Sequence, residues 1–95
     1  MKAQLVTRYR NIFDDGSLIE LIVWKVPRPV PPTEHGFKYR LVYVVQNKRV
    51  IGFDNEIGKG DHKHIGNAQY PYQFVDIDRL LTDFFMEIEQ WKKDH

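Results

Sequence analysis

The sequence predicts an α+β domain: a four- to five-stranded antiparallel meander with one long C-terminal amphipathic helix packed on one face. Three observations predict it. Runs of β-branched and aromatic residues are separated by turn residues in the first half of the chain, apolar and polar residues alternate from Phe37 to Gln46, and the period becomes helical after Asp76. With 95 residues, 42% of them hydrophobic, the chain can bury one core and has no room for a second, so residues 1–95 read as a single domain.

Gln4 to Phe13 and Leu18 to Val26 have strand composition, and Asp14-Asp15-Gly16-Ser17 between them marks a hairpin. In the second run both alternating sets, Leu18/Ile22/Trp24/Val26 and Ile19/Leu21/Val23, are apolar, which predicts a central strand covered on two faces. Four prolines between Pro27 and Gly36 cannot donate to a ladder, so this segment is an extended connection. The next strand sets Phe37, Tyr39, Leu41, Tyr43 and Val45 on one side and Lys38, Arg40, Val42 and Val44 on the other. A turn at Asn47-Lys48 leads into Arg49 to Asp54, with Val44 expected opposite Ile51, Val42 opposite Phe53 and Arg40 opposite Asn55. A short fifth strand is expected near Tyr72–Phe74. From Asp76 onward Ile77, Leu80, Leu81, Phe84, Phe85, Ile88 and Trp91 form the stripe of an amphipathic helix. Asp76 or Asp78 suits its amide end, and Lys92-Lys93 suit its carboxyl end.

The chain has no cysteine, which excludes disulfides and thiolate metal cages and fits a reducing compartment. It shows no signal-peptide pattern and no run of about 18 apolar residues, so a cytoplasmic protein without a membrane partner is expected. Charge is uneven: 11 Lys/Arg against 7 Asp/Glu from Met1 to Val75, then 3 against 6 from Asp76 to His95. A mildly basic sheet could face a polyanion while the acidic helix faces away.

The chemistry concentrates in Phe53 to Ile65, FDNEIGKGDHKHI, which gathers three acids, two lysines and two histidines around two glycines. Gly58 and Gly60 permit positive φ and could turn their amides toward an anion, with Lys59 between them. The spacing is not that of a Walker phosphate loop. One mechanism for these residues is metal-free. His62 or His64 exchanges a proton near neutral pH, Asp54, Glu56 or Asp61 orients the imidazole, and Lys59, Arg40 and Lys38 stabilise a phosphoryl centre. RNA supplies its own 2′-OH nucleophile, so a small ribonuclease needs no more than acid, base and cations. The other mechanism binds Zn²⁺ or Mn²⁺ through Asp61, His62 and His64 with Glu56. No cofactor is indicated beyond that option. A purely structural alternative has Asp54 or Glu56 bridging to Arg40 and the histidines facing solvent. His35 reads as a hinge residue unless the fold brings it beside the polar stretch. Tyr70 and Tyr72 could stack on a base, although aromatics just before a helix are more often core.

The string DNE-x-GKGDH-x-H, the upstream VWKVP with His35 and Phe37-Lys38-Tyr39, and the closing YQF before DRLLTDFF resemble the TumE-type toxins of prokaryotic toxin–antitoxin pairs. The resemblance runs in order along nearly the whole chain. It implies a growth-inhibiting toxin, a cognate antitoxin of helix-turn-helix type, and RNA as the target. Carried over by position, the motif marks Asp54, Asn55, Glu56, Gly58, Lys59, Gly60, Asp61, His62 and His64, with His35 and Lys38 in a weaker second block. Two functions are therefore expected to compete: a ribonuclease toxin, possible as a homodimer, and a non-catalytic protein that blocks a cellular target or acts as an adaptor.

Overall fold

A computed structural model describes residues 2–95. Six strands follow one another as β1 (Gln4–Ile12), β2 (Leu18–Lys25), β3 (Phe37–Val45), β4 (Lys48–Glu56), β5 (Gly60–Ile65) and β6 (Ala68–Pro71), and helix α1 (Ile77–Asp94) closes the chain. Each strand pairs antiparallel with the next, so spatial order equals chain order, an open meander. The expected α+β meander with one terminal helix is present, with six strands rather than four or five. The extra strands come from the polar stretch, whose second half is β5, and from Ala68–Pro71, upstream of the expected Tyr72–Phe74 strand. Asp61, Lys63 and Ile65 do alternate with His62 and His64, but neither set is apolar, so the period-two signal lacked its usual marker.

The helix covers one face of the sheet. Ile19, Leu21, Val23, Tyr39, Leu41, Tyr43, Ile51 and Phe53 are buried against Leu80, Phe84 and Ile88. Phe84 meets Phe53 edge to face at 6.0 Å, and Trp91 meets Tyr43 at 5.8 Å; such pairs add about 0.5–1.5 kcal/mol to their area burial. Asp76 caps the helix by accepting from the Arg79 amide at 2.7 Å. Tyr72 donates to Asp83 at 2.6 Å and Lys63 reaches Glu87 at 2.7 Å, tying the end of the sheet to the helix. Of the expected stripe, Phe85 is exposed.

Nothing among the described residues layers over the opposite face. Leu18, Ile22 and Trp24, expected under a second layer, are half-buried beside their sheet neighbours instead. This open face carries Arg8 and Arg10 of β1, Glu20, Ile22 and Trp24 of β2, Lys38, Arg40 and Val42 of β3, Gly52 and Asp54 of β4, and His62 and His64 of β5.

The β3–β4 register differs from expectation by one residue. The turn is Gln46-Asn47, both with positive φ (51° and 63°), as a tight hairpin loop requires, and a bulge follows at Tyr43/Val44. Arg40 therefore pairs with Asp54, not Asn55, and Phe53 pairs with Leu41, not Val42. Because side chains alternate strictly, one residue of slip exchanges the two faces of the strand. That exchange decides the composition of the site.

Candidate functional site

Pairing of β4 with β5 sets Asp54 opposite His62 and Gly52 opposite His64 on the open face. It sets Asn55 opposite Asp61 and Phe53 opposite Lys63 on the helix face. The polar motif is thus divided between two environments by alternation alone.

On the open face, Arg40, Asp54 and His62 form a row across three adjacent strands. His62 is 4% exposed. Its Nδ1 lies 3.0 Å from the Gly60 carbonyl, and since a carbonyl can only accept, Nδ1 carries the proton. Nε2 faces Asp54 Oδ1. That oxygen is buried and takes no hydrogen bond despite the contact. His64 stands at right angles to His62, with ring centroids 4.8 Å apart. Burial, helped by the nearby Arg49 guanidinium, lowers the His64 pKa from its usual 6.5 and keeps the ring neutral at pH 7.

Cations and an aromatic ring surround this cluster. Lys38 Nζ donates to the Asn55 carbonyl. Arg40 is mostly exposed, with Nη1 3.8 Å from Glu20, which also holds Arg10 at 3.1 Å. A depression of about 170 Å³ beside Asp54 is lined by Ile22, Trp24, Lys38, Arg40 and Glu56. A larger one of about 580 Å³ lies on the outer face of the helix between Leu81, Phe85 and Met86. It is shallow and has no cluster of proton-exchanging groups, so size is a poorer guide here than chemistry.

The helix-face half of the motif is locked. Asn55, fully buried, accepts from the Tyr39 amide at 3.0 Å and donates to the Phe37 carbonyl at 2.7 Å, extending the ladder with its side chain. Asp61 Oδ2 accepts from Tyr39 Oη at 2.6 Å and from His35 Nε2 at 2.7 Å. Burial and the neighbouring Asp61 carboxylate push the Tyr39 phenol far above its usual range, so it remains a donor. His35 is thus brought beside the polar stretch, where it stacks on Phe74 at 3.9 Å and fastens the proline segment to β5.

At the hairpin tip the Gly58 amide donates to the Pro31 carbonyl at 2.9 Å rather than turning toward an anion site. Gly60, at φ +76°, lies so close to Pro32 that a Cβ would stand 3.3 Å from its Cγ. Lys59 is exposed, 3.6 Å from Glu56. Neither bridges to the histidines. Tyr70 pairs with Lys63 on the helix side of the edge strand, away from His62, and Tyr72 packs edge to face on Phe53 at 5.0 Å.

The structure therefore brings Asp54, His62, His64, Arg40, Lys38 and Glu56 to one face. It sends Asn55, Asp61, His35 and Tyr70 to the other side of the sheet and leaves Lys59 at the tip. The bridge from Asp54 or Glu56 to Arg40 is not formed; Glu20 holds that guanidinium. The ligand set expected for a metal, Asp61 and Glu56 with the histidines, is also not assembled; Asp54 stands where Asp61 was expected. Sequence reasoning passed over Arg49, Gly52 and Trp24. An isolated glycine within a strand does signal close approach, and here the Arg49 side chain lies across Gly52, 3.0 Å from where a Cβ would sit.

Among the described residues no helix is long and apolar enough to cross a membrane. No curated protein and no solved structure matches the chain. A family model described as Toxin TumE matches residues 2–92. That match spans both strands of the divided motif and the helix, so the chain belongs to the TumE toxin family, the toxin side of a toxin–antitoxin pair.

Proposed function

We propose that this toxin cleaves RNA on the open face of its sheet, with the Asp54–His62–His64 cluster as the reacting centre. The observation that carries the reading is the row Arg40, Asp54, His62 across three strands, with a neutral imidazole, His64, beside it. Arg40, Lys38 and the Arg49 guanidinium supply charge for a phosphodiester, and half-buried Trp24 offers a flat surface for an unpaired base. The open side of the depression suits a flexible single strand better than a rigid duplex.

In the proposed step the 2′-OH of the RNA gives its proton to the imidazole–carboxylate cluster and its oxygen attacks the adjacent phosphorus. The O2′–P bond forms as the P–O5′ bond breaks. The departing 5′ oxygen takes up a proton, leaving a 2′,3′-cyclic phosphate and a 5′-hydroxyl. Arg40 and Arg49 neutralise charge on the phosphoryl oxygens as the bond order shifts. Asp54 supplies the carboxylate of that cluster, and the Gly60 carbonyl holds the His62 ring in position. The cytoplasm is where such a substrate and a helix-turn-helix antitoxin would be met, and the antitoxin would act by covering this face.

Purified protein incubated with cellular RNA should yield fragments ending in 2′,3′-cyclic phosphate, detectable by mass spectrometry. His64→Ala should slow the reaction about 10²-fold or more, the usual loss with a proton-transfer group. Intact RNA with toxicity retained in His64→Ala cells would retire the enzyme and leave a protein that acts by binding alone.

A further inference from the structure

We propose that Asp54, His62 and His64 bind one divalent transition-metal ion, Zn²⁺ by preference. The argument starts from the His62 tautomer. With Nδ1 donating to the Gly60 carbonyl, a neutral ring presents the Nε2 lone pair to a carboxylate oxygen that is itself buried and takes no hydrogen bond. Two lone pairs in contact out of water need a positive charge between or beside them. A metal ion needs only that both donors reach a common point.

The third donor favours the ion. One ligand atom from each of Asp54, His62 and His64 lies within 4.8 Å of the others. Zinc bonds of about 2.0–2.2 Å draw such donors together to about 3–4 Å, a side-chain movement of about 1 Å. A backbone carbonyl holding the remote nitrogen of a ligating histidine is the usual second support of such sites. Two imidazoles and a carboxylate select Zn²⁺ or a neighbouring transition ion over Mg²⁺, which prefers oxygen donors. Three protein ligands leave a fourth position free, and one of them, Asp54, also lines the depression on the β3 side.

The neighbouring charges fit an ion that carries an anion. Arg49, Arg40 and Lys38 face the site along with Glu56, and they oppose a bare cation. They favour a cation whose free position holds a phosphate. Gly52 contributes by absence: any side chain there would occupy the space now crossed by Arg49 next to His64. With the ion bound, these three donors would no longer be free to take the 2′-OH proton, and a water in the fourth position, made acidic by the ion, would take that part instead; that role rests on the RNA reading above, whereas binding does not.

The test uses the full chain stripped with a chelator. Zn²⁺ titration by calorimetry should show saturable binding of one ion per chain and a raised melting temperature. Co²⁺ in its place should give the visible absorption of a four-coordinate site. Asp54→Asn and His64→Gln should each weaken binding by at least about 10-fold, the loss seen even for outer supports of metal sites. His95→Gln, at the far end of the helix, should leave it unchanged. In the wild type, imidazole ¹⁵N shifts should move at His62 and His64 and stay at His35 and His95, a readout that does not depend on a variant folding. No saturable binding would overturn the proposal. So would affinity lost in Asp61→Asn but kept in Asp54→Asn. Metal bound as described without RNA cleavage supports the site and removes the RNA reading; cleavage by protein that binds no ion does the reverse.

Discussion

The two faces of the β4–β5 hairpin use the same residue types to opposite ends. On the helix face, Asn55 and Asp61 spend every polar atom that matters on named partners: two backbone groups of β3, a tyrosine and a histidine. On the open face Asp54 keeps a buried oxygen without a hydrogen bond and itself lines a solvent-facing depression. Satisfied polar networks rigidify; an unsatisfied buried group in a well-formed sheet costs stability and persists where it serves chemistry. Residue identity therefore does not separate scaffold from site in this motif, and satisfaction of hydrogen bonds does.

The sharpest way to break this comparison is to exchange the faces by mutation. Asp54→Asn should reduce RNA cleavage about 10²-fold or more, the usual loss with a member of the proton-accepting cluster. Asp61→Asn should lower the melting temperature and leave the rate per folded molecule within a few-fold. Initial rates taken below both melting transitions decide it; equal losses of rate would erase the distinction.

Next in size is the scaffold itself. Asn55→Leu keeps the volume and strands the Tyr39 amide and Phe37 carbonyl in the core, at about 1–3 kcal/mol for each group left unpaired. Urea unfolding measures the loss. A variant as stable as the wild type would mean that the side chain is not a substitute for the ladder.

Smaller effects belong to the rim. Arg40→Ala and Arg49→Ala should weaken RNA binding with little effect on folding. Each should flatten the dependence of log affinity on log salt by about 0.7, the share of one phosphate contact on a single strand. Unchanged slopes would move the RNA off this face.

The smallest expected effect is on pH. The His64 pKa is lowered on folding, chiefly by burial. As pH falls through 6.5, the usual imidazole value, the unfolded chain takes up a proton that the folded protein still refuses. The contribution is thus complete above 6.5 and is lost below it. Metal-free protein should lose stability on acidification from pH 7.5 to 5.5, and His64→Gln should do so less steeply.

How much was legible varied with the kind of signal. The helix could be read because Leu80, Phe84 and Ile88 recur at its period and are buried in the structure. The first hairpin could be read from Asp14-Asp15-Gly16-Ser17, and β3 from its alternation. The polar stretch stood out as a concentration of chemistry, and Arg40 was expected near its start. β5 and β6 were missed because their alternating sets are polar, and β6 is exposed throughout. Arg49 and Gly52 gave only a weak signal, since neither belongs to a catalytic spacing pattern.

Taken alone, the sequence determined which segments become strand or helix, and which short string holds the reacting groups, because both depend on local periodicity and composition. Only the tertiary structure decided which members of that string share a face. A turn at Gln46-Asn47 and a bulge at Tyr43/Val44 set the pairing, and a sheet with a two-residue repeat turns a single step of register into a change of side. Asp54 came to stand between Arg40 and His62, and Asn55 went into the core, for that reason.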